Sequence, residues 1–133
     1  MSKTYDIIYG EENELTILDI LKNKIPDVKR TKKFDEFDYE TPSLKIELKS
    51  RRCNHNTYPT TMIGLNKVKK CEDPNLRYLF IFKFEDKTLW CEYNEDVFKN
   101  FEIKAGGRCD RGRVEKTDYC YIPISYLNEL DSL

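Results

Sequence analysis

Apolar residues recur along this chain with two periods, and the switches between them mark out its elements. In "EENELTILDILKNK", residues 11–24, Leu15, Leu18 and Leu21, or Ile17 and Leu21, share a face at helical spacing. Acidic residues open the stretch, Lys22 and Lys24 close it, and Pro26 stops it. The spacing predicts a helix over 11–24, separated by Gly10 from an apolar lead-in, "YDIIY". Residues 27–40 look extended, and "TPS" at 41–43 signals a turn. In "LKIELKS", residues 44–50, Leu44, Ile46 and Leu48 alternate with Lys45, Glu47 and Lys49, the pattern of a half-buried strand.

A polar loop, 51–58, leads to "TTMIGLNKVKKCE" at 60–72. There Met62, Leu65 and Val68 predict the core face of a second helix, capped by Thr60 or Thr61, with Asn66, Lys67 and Lys70 outward. "RYLFIFKF" at 77–84 is almost continuously apolar, as in a strand covered on both faces, and "TLWCEY" at 88–93 is its expected antiparallel partner. A short helix over 95–100, a basic glycine-rich loop after "FEIKAGG", a strand at 118–124 and a short closing helix from about Ser125 complete the series. No linker or repeat divides residues 1–133, so one α/β domain with helices packed on a sheet is expected.

Composition narrows the function classes. The chain of 133 residues is 39% apolar, 35% charged and 13% aromatic, which suits one small, well-solvated domain. A net charge of -1 argues against nucleic-acid binding by overall charge, leaving local basic runs. These are "KRTKK" (29–33), "KSRR" (49–52), "NKVKK" (66–70) and "RCDRGR" (108–113), each equally readable as a solvated face. Five cysteines without a C-x-x-C, no signal peptide and no apolar run of membrane-spanning length point to reduced thiols in an intracellular protein. One histidine, His55, gives a hydrolytic triad or a zinc site little support.

The hairpin around Pro42 and Ser43 carries the sharper chemistry. If its turn is centred there, paired numbers sum to 85: Glu40 faces Lys45, Asp38 faces Glu47 and Glu36 faces Lys49. Two of these are ordinary opposite-charge pairs. The third sets two carboxylates with Cβ atoms about 4.5–5.5 Å apart, which raises the pKa of one of them. A hard divalent cation relieves that repulsion, since Mg²⁺ is often held by one or two carboxylates plus water and phosphate. A register slip of one residue would destroy the pair.

Asp38 followed by Glu47-x-Lys49 resembles the PD-(D/E)XK nuclease superfamily. The apolar alternation of "IELKSR" and the order helix, hairpin, strand, helix, strand are similar to it, over roughly residues 10–84. Glu14, with Ile17, Leu18 and Leu21 behind it, is similar to the first helix of archaeal-type Holliday junction resolvases. The C-terminal part is loosely similar to small viral and phage members. Phe37 stands where the family's first motif has proline. The resemblance implies a restriction-endonuclease-like core of αβββαβ order and metal-assisted hydrolysis of DNA. Asp38, Glu47 and the backbone carbonyl of Leu48 would hold Mg²⁺ or Mn²⁺, and Lys49 would serve the attacking water. Glu14, or Glu11 after it, would assist through a water or a second metal. Arg51, Arg52, Tyr58, Lys67, Lys70, Arg108, Arg111 and Arg113 are the expected DNA contacts, and a C₂ dimer is expected of a double-strand cutter or junction resolvase. Two other readings stay open: a catalytically silent nucleic-acid or protein-binding module on the same fold, and a structural domain with a salt-bridged hairpin.

Overall fold

A computed structural model describes residues 3–32, 35–108 and 115–133. Its axis is β3 (Leu44–Ser50), which runs parallel to β5 (Arg77–Lys83) from Leu44 beside Arg77 to Ser50 beside Lys83. Antiparallel strands extend the sheet on both sides. β1 (Lys29–Arg30) and β2 (Tyr39–Thr41) lie beyond β3, and β6 (Thr88–Glu92) and β9 (Asn128–Glu129) lie beyond β5. The result is a six-stranded sheet in the order β1-β2-β3-β5-β6-β9.

Both faces of β3 and β5 are covered. On one face Leu44, Ile46, Leu48, Leu79 and Ile81 pack with Ile17 and Leu21 of α1 (Lys3–Lys24). On the other, Tyr78, Phe80, Phe82 and Phe84 pack with Ile63, Cys120, Ile122 and Phe98. Those last residues come from a second sheet, β4 (Thr60–Gly64), β8 (Glu115–Pro123) and β7 (Glu102–Arg108), and from α3 (Glu95–Phe98). α2 (Leu65–Lys69) follows β4 directly and belongs to the connection from β3 to β5, since a parallel pair needs a crossover.

Several sequence expectations change. The first helix begins at Lys3, so Gly10 does not break it, and of the two candidate faces Ile17 and Leu21 are buried while Leu15 is 51% exposed. The predicted second helix starts five residues late: Thr60–Gly64 is a strand paired with β8 from Thr60 beside Pro123 to Gly64 beside Tyr119. Thr61 and Ile63 are buried between half-exposed or exposed neighbours, the period of two that β-branched residues favour. Met62, expected in the core, is exposed. Glu102–Arg108 forms β7 and pairs with β8, while the loop expected after "FEIKAGG" lies, from residue 109 to 114, outside the described residues. The closing helix is two single 3₁₀ turns, Ile124–Tyr126 and Leu130–Ser132, with β9 between them. Among the described residues no helix is long and apolar enough to cross a membrane.

Candidate active site

The hairpin register holds where the strands pair: Thr41 faces Leu44, Glu40 faces Lys45 and Tyr39 faces Ile46. Lys45 and Glu40 form an ion pair at 2.5 Å, an ordinary cross-strand contact. The ladder stops at Tyr39, and Asp38 departs from simple pairing. Its N–H donates to the Ile46 carbonyl at 2.9 Å, while its Oδ2 accepts the Leu48 N–H at 2.8 Å. Asp38 thus straddles Glu47 instead of merely facing it. The expected pair of Glu36 with Lys49 does not form. Glu36 binds Lys70 at 2.5 Å, and its backbone carbonyl accepts from Lys67 Nζ.

Glu47 is only 4% exposed, so β3 is not the half-exposed strand that its alternation suggests. It lies beside Phe80 in the parallel ladder, on the face carrying the second apolar cluster. Two ammonium groups reach it: Lys67 Nζ at 3.3 Å and Lys49 Nζ at 3.9 Å from Oε2. They compensate it only in part. Burial pushes the Glu47 carboxyl up to about 8, and the charge and hydrogen-bonding carboxyl of Asp38 add to the rise. Burial and then the Glu47 charge push the nearby Cys71 thiol up to about 12.

Lys67, expected on the outward face of the second helix, turns inward instead. β4 delivers α2 so that Lys67 crosses the Phe37 ring at 5.5 Å and turns inward to Glu47. Nothing in "NKVKK" separates Lys67 from Lys69 or Lys70, so the local pattern holds no signal of this. Lys70 is occupied by Glu36.

The other expected residues spread more widely. Glu14 forms an ion pair with Arg30 at 2.6 Å, and its backbone carbonyl accepts the Tyr39 hydroxyl at 2.6 Å. Among the described residues no group of three or more His, Cys, Asp or Glu side chains could hold a metal, so Glu14 does not join Asp38 and Glu47. The buried Asn13 instead ties α1 to β3, donating to Ser50 Oγ at 2.9 Å. Arg51 is anchored within the fold: it donates to the Met62 carbonyl at 2.5 Å and to Thr61 Oγ1 at 3.4 Å, and lies 5.8 Å over the Phe82 ring. Arg52 is exposed beyond the end of β3, and Tyr58 is 64% exposed in the following loop. Arg108 is placed only by its backbone in β7, and Arg111 and Arg113 lie outside the described residues.

Two clefts lie at the ends of the row Lys45, Glu47, Lys49, Arg51. One, of about 710 Å³, includes Glu36, Phe37, Lys45 and Lys70 in its walls. The other, of about 440 Å³, includes Arg51, Thr61 and Met62. Neither has Glu47 in its wall, so the carboxylate pair sits between them.

The donor set suits a hard divalent cation. Two carboxyl groups converge in a buried setting where like charge is disfavoured, which a dication would reverse. The Leu48 N–H points to the Asp38 edge, and a strand residue's carbonyl faces the same edge as its own N–H. Asp38, Glu47 and the Leu48 carbonyl therefore bound one small volume.

No curated protein and no solved structure matches the chain. The model of a family described as "Phage putative PDDEXK endonuclease" matches residues 19–130, a span that holds Asp38, Glu47, Lys49 and Lys67 and leaves Glu14 outside. With most of its length so matched, and with the mixed α/β core of a restriction-endonuclease-like fold, the chain belongs to this family of the PD-(D/E)XK nuclease superfamily.

Proposed function

We propose that this protein is a divalent-metal-dependent endonuclease that hydrolyses phosphodiester bonds of DNA with Mg²⁺ or Mn²⁺. The observation that carries this reading is the buried pairing of Asp38 with Glu47, with Lys67 at 3.3 Å and Lys49 at 3.9 Å from Glu47.

Asp38 and Glu47, with the Leu48 carbonyl, would hold the ion. When bound, a divalent cation supplies Lewis acidity toward a phosphate oxygen and toward water. The Leu48 N–H fixes Asp38 Oδ2, so the carboxylate is oriented before any ligand arrives. Lys49, half-exposed beside Glu47, orients the attacking water. Lys67 neutralises negative charge that grows on the phosphate as the bond breaks. Glu14 serves as an outer carboxylate held by Arg30 beside Tyr39. Branched or flapped DNA is the favoured substrate. Cutting both strands of a duplex would call for a second copy, since the described residues of one chain carry one such carboxylate pair.

A second reading is a catalytically silent binding module on the same fold. The observation favouring it is that Lys67 and Lys49 already offset part of the Glu47 charge without metal. Cleavage of duplex, junction, flap and single-stranded DNA with Mg²⁺ or Mn²⁺, beside Glu47→Ala, separates the two. Metal-dependent cutting lost in the variant supports the nuclease. Binding without cutting in every metal supports the silent module.

A further inference from the structure

The 440 Å³ pocket at the Arg51 end of the row is not used by the chemistry above. We infer that it binds a nucleobase of unpaired nucleic acid, presented next to the scissile phosphate. The word "scissile" rests on the nuclease reading; the base site itself does not require cleavage.

Position is the first argument. Arg51, just past the end of β3, continues its pairing by donating its backbone N–H to the Lys83 carbonyl and lies over the ring of Phe82, the neighbour of Lys49, so it stands on the face that carries Glu47 and Lys49, about 7 Å further on. Phe82 and Phe84 share the corresponding face of β5, and Phe84 lines the pocket. The opposite wall is β4, the strand that continues directly into α2 and Lys67. Both walls therefore lead straight to the carboxylate pair.

Surface chemistry is the second. Four large apolar side chains are exposed among the described residues, Leu15, Tyr58, Met62 and Ile103, and two of them meet here. Tyr58, 64% exposed, offers a flat ring, and Met62, 37% exposed, a polarisable thioether. His55 adds a polar edge in a fixed orientation: its Nδ1 lies 2.6 Å from Asp86 Oδ2, and its backbone N–H donates to Asp86 Oδ1 at 2.9 Å. Asn54 contributes an exposed amide that can both donate and accept. An aromatic platform beside a few polar edges is the equipment for a planar heterocycle with a hydrogen-bonding rim.

Charge is the third. Arg51 stands on the pocket side of the row, and Lys49 and Lys67 lead toward Glu47, a cationic path that suits a phosphate backbone. Arg51 is clamped to Thr61 and Met62, so the wall is set before binding. Bases within a duplex have their faces stacked on their neighbours, so the occupant must be unpaired. That narrows the proposed substrates to single strands, flaps and junctions that carry unpaired bases.

The test uses the full chain without metal, where no cutting occurs, and fluorescence anisotropy of a labelled oligothymidylate and an abasic oligomer of equal length. Tyr58→Ala should weaken oligothymidylate binding about 5- to 100-fold. Tyr58→Trp should restore it, Met62→Ala should weaken it less, and the abasic oligomer should bind weakly and equally to all four proteins. Equal affinity of the unaltered protein for the two oligomers, or the same loss on both in Tyr58→Ala, would overturn the pocket. Base-dependent binding through Tyr58 in a protein that cuts no DNA with either Mg²⁺ or Mn²⁺ would overturn the nuclease reading and leave the pocket standing. Glu47-dependent cutting with no role for Tyr58 in binding would do the reverse.

Discussion

Lys67 Nζ stands 3.3 Å from Glu47 Oε2, although the two residues come from different layers of the fold. One lies on the central strand and the other on the short helix that follows the second sheet's first strand. A surface-run lysine is thereby made part of the centre. Lys67→Met should lower cleavage about 100-fold, the scale for losing one group that stabilises developing charge. Lys69→Met, two residues on and exposed, should leave cleavage unchanged. Steady-state rates on one DNA substrate compare them, and equal rates for both variants would remove Lys67 from the chemistry.

The raised carboxyl of Glu47 makes stability depend on pH. Its folded pKa, pushed to about 8, lies above the ordinary value of 4.5, so the folded state holds more protons between those limits. The metal-free protein should therefore lose stability as pH rises from about 4.5 to about 8, by up to a few kcal/mol. Glu47→Gln should flatten that window. Urea midpoints at half-unit pH steps measure it, and a wild-type curve parallel to the variant would refute the assignment.

Metal should act in the opposite direction. A cation that binds only the folded state at 100 times its Kd adds about 2.7 kcal/mol. Mg²⁺ or Mn²⁺ should raise Tm, more strongly at pH 8 than at pH 6 because protons compete for Glu47, and chelator should reverse the rise. Asp38→Asn and Glu47→Gln should each abolish the shift. A Tm indifferent to both metals at pH 8 would count against a site that is filled before substrate arrives.

Asp38 has a structural task beside its proposed ligand role. Its Oδ2 accepts the Leu48 N–H, and Asp38→Ala would leave that donor without its partner at a cost of about 1–3 kcal/mol. Asp38→Asn keeps an acceptor oxygen in reach, so it should fold almost normally while losing cleavage. Denaturation midpoints and activity measured on both variants separate the two tasks.

Lys45 offers a control on the same strand face. Its ion pair with Glu40 is partly exposed, so Lys45→Ala should cost about 0.2–1 kcal/mol and leave cleavage intact. A large loss of activity would mean that the row of charges acts as a unit and not through Glu47 and Lys49.

Much of this protein is determined by short-range pattern. Alternation in 44–50, the turn at Pro42 and the aromatic run of 77–84 fix a hairpin and a central strand, because side-chain period and turn geometry are local properties. They were enough to give the register and to bring Asp38 and Glu47 into one neighbourhood. Tertiary structure decided the rest. Residues 60–65 carry a helical spacing in Met62 and Leu65 and a strand spacing in Thr61 and Ile63, and pairing of 60–64 with β8 selects the second. That choice carries α2 over Phe37 and turns Lys67 inward, which no local period could indicate. Likewise Glu14 lies on the predicted helix, but Arg30 on β1 takes its carboxylate, a contact between residues 16 apart in sequence. Burial of Glu47, too, is decided by the second sheet and its helix closing over a face that the chain alone marks as polar.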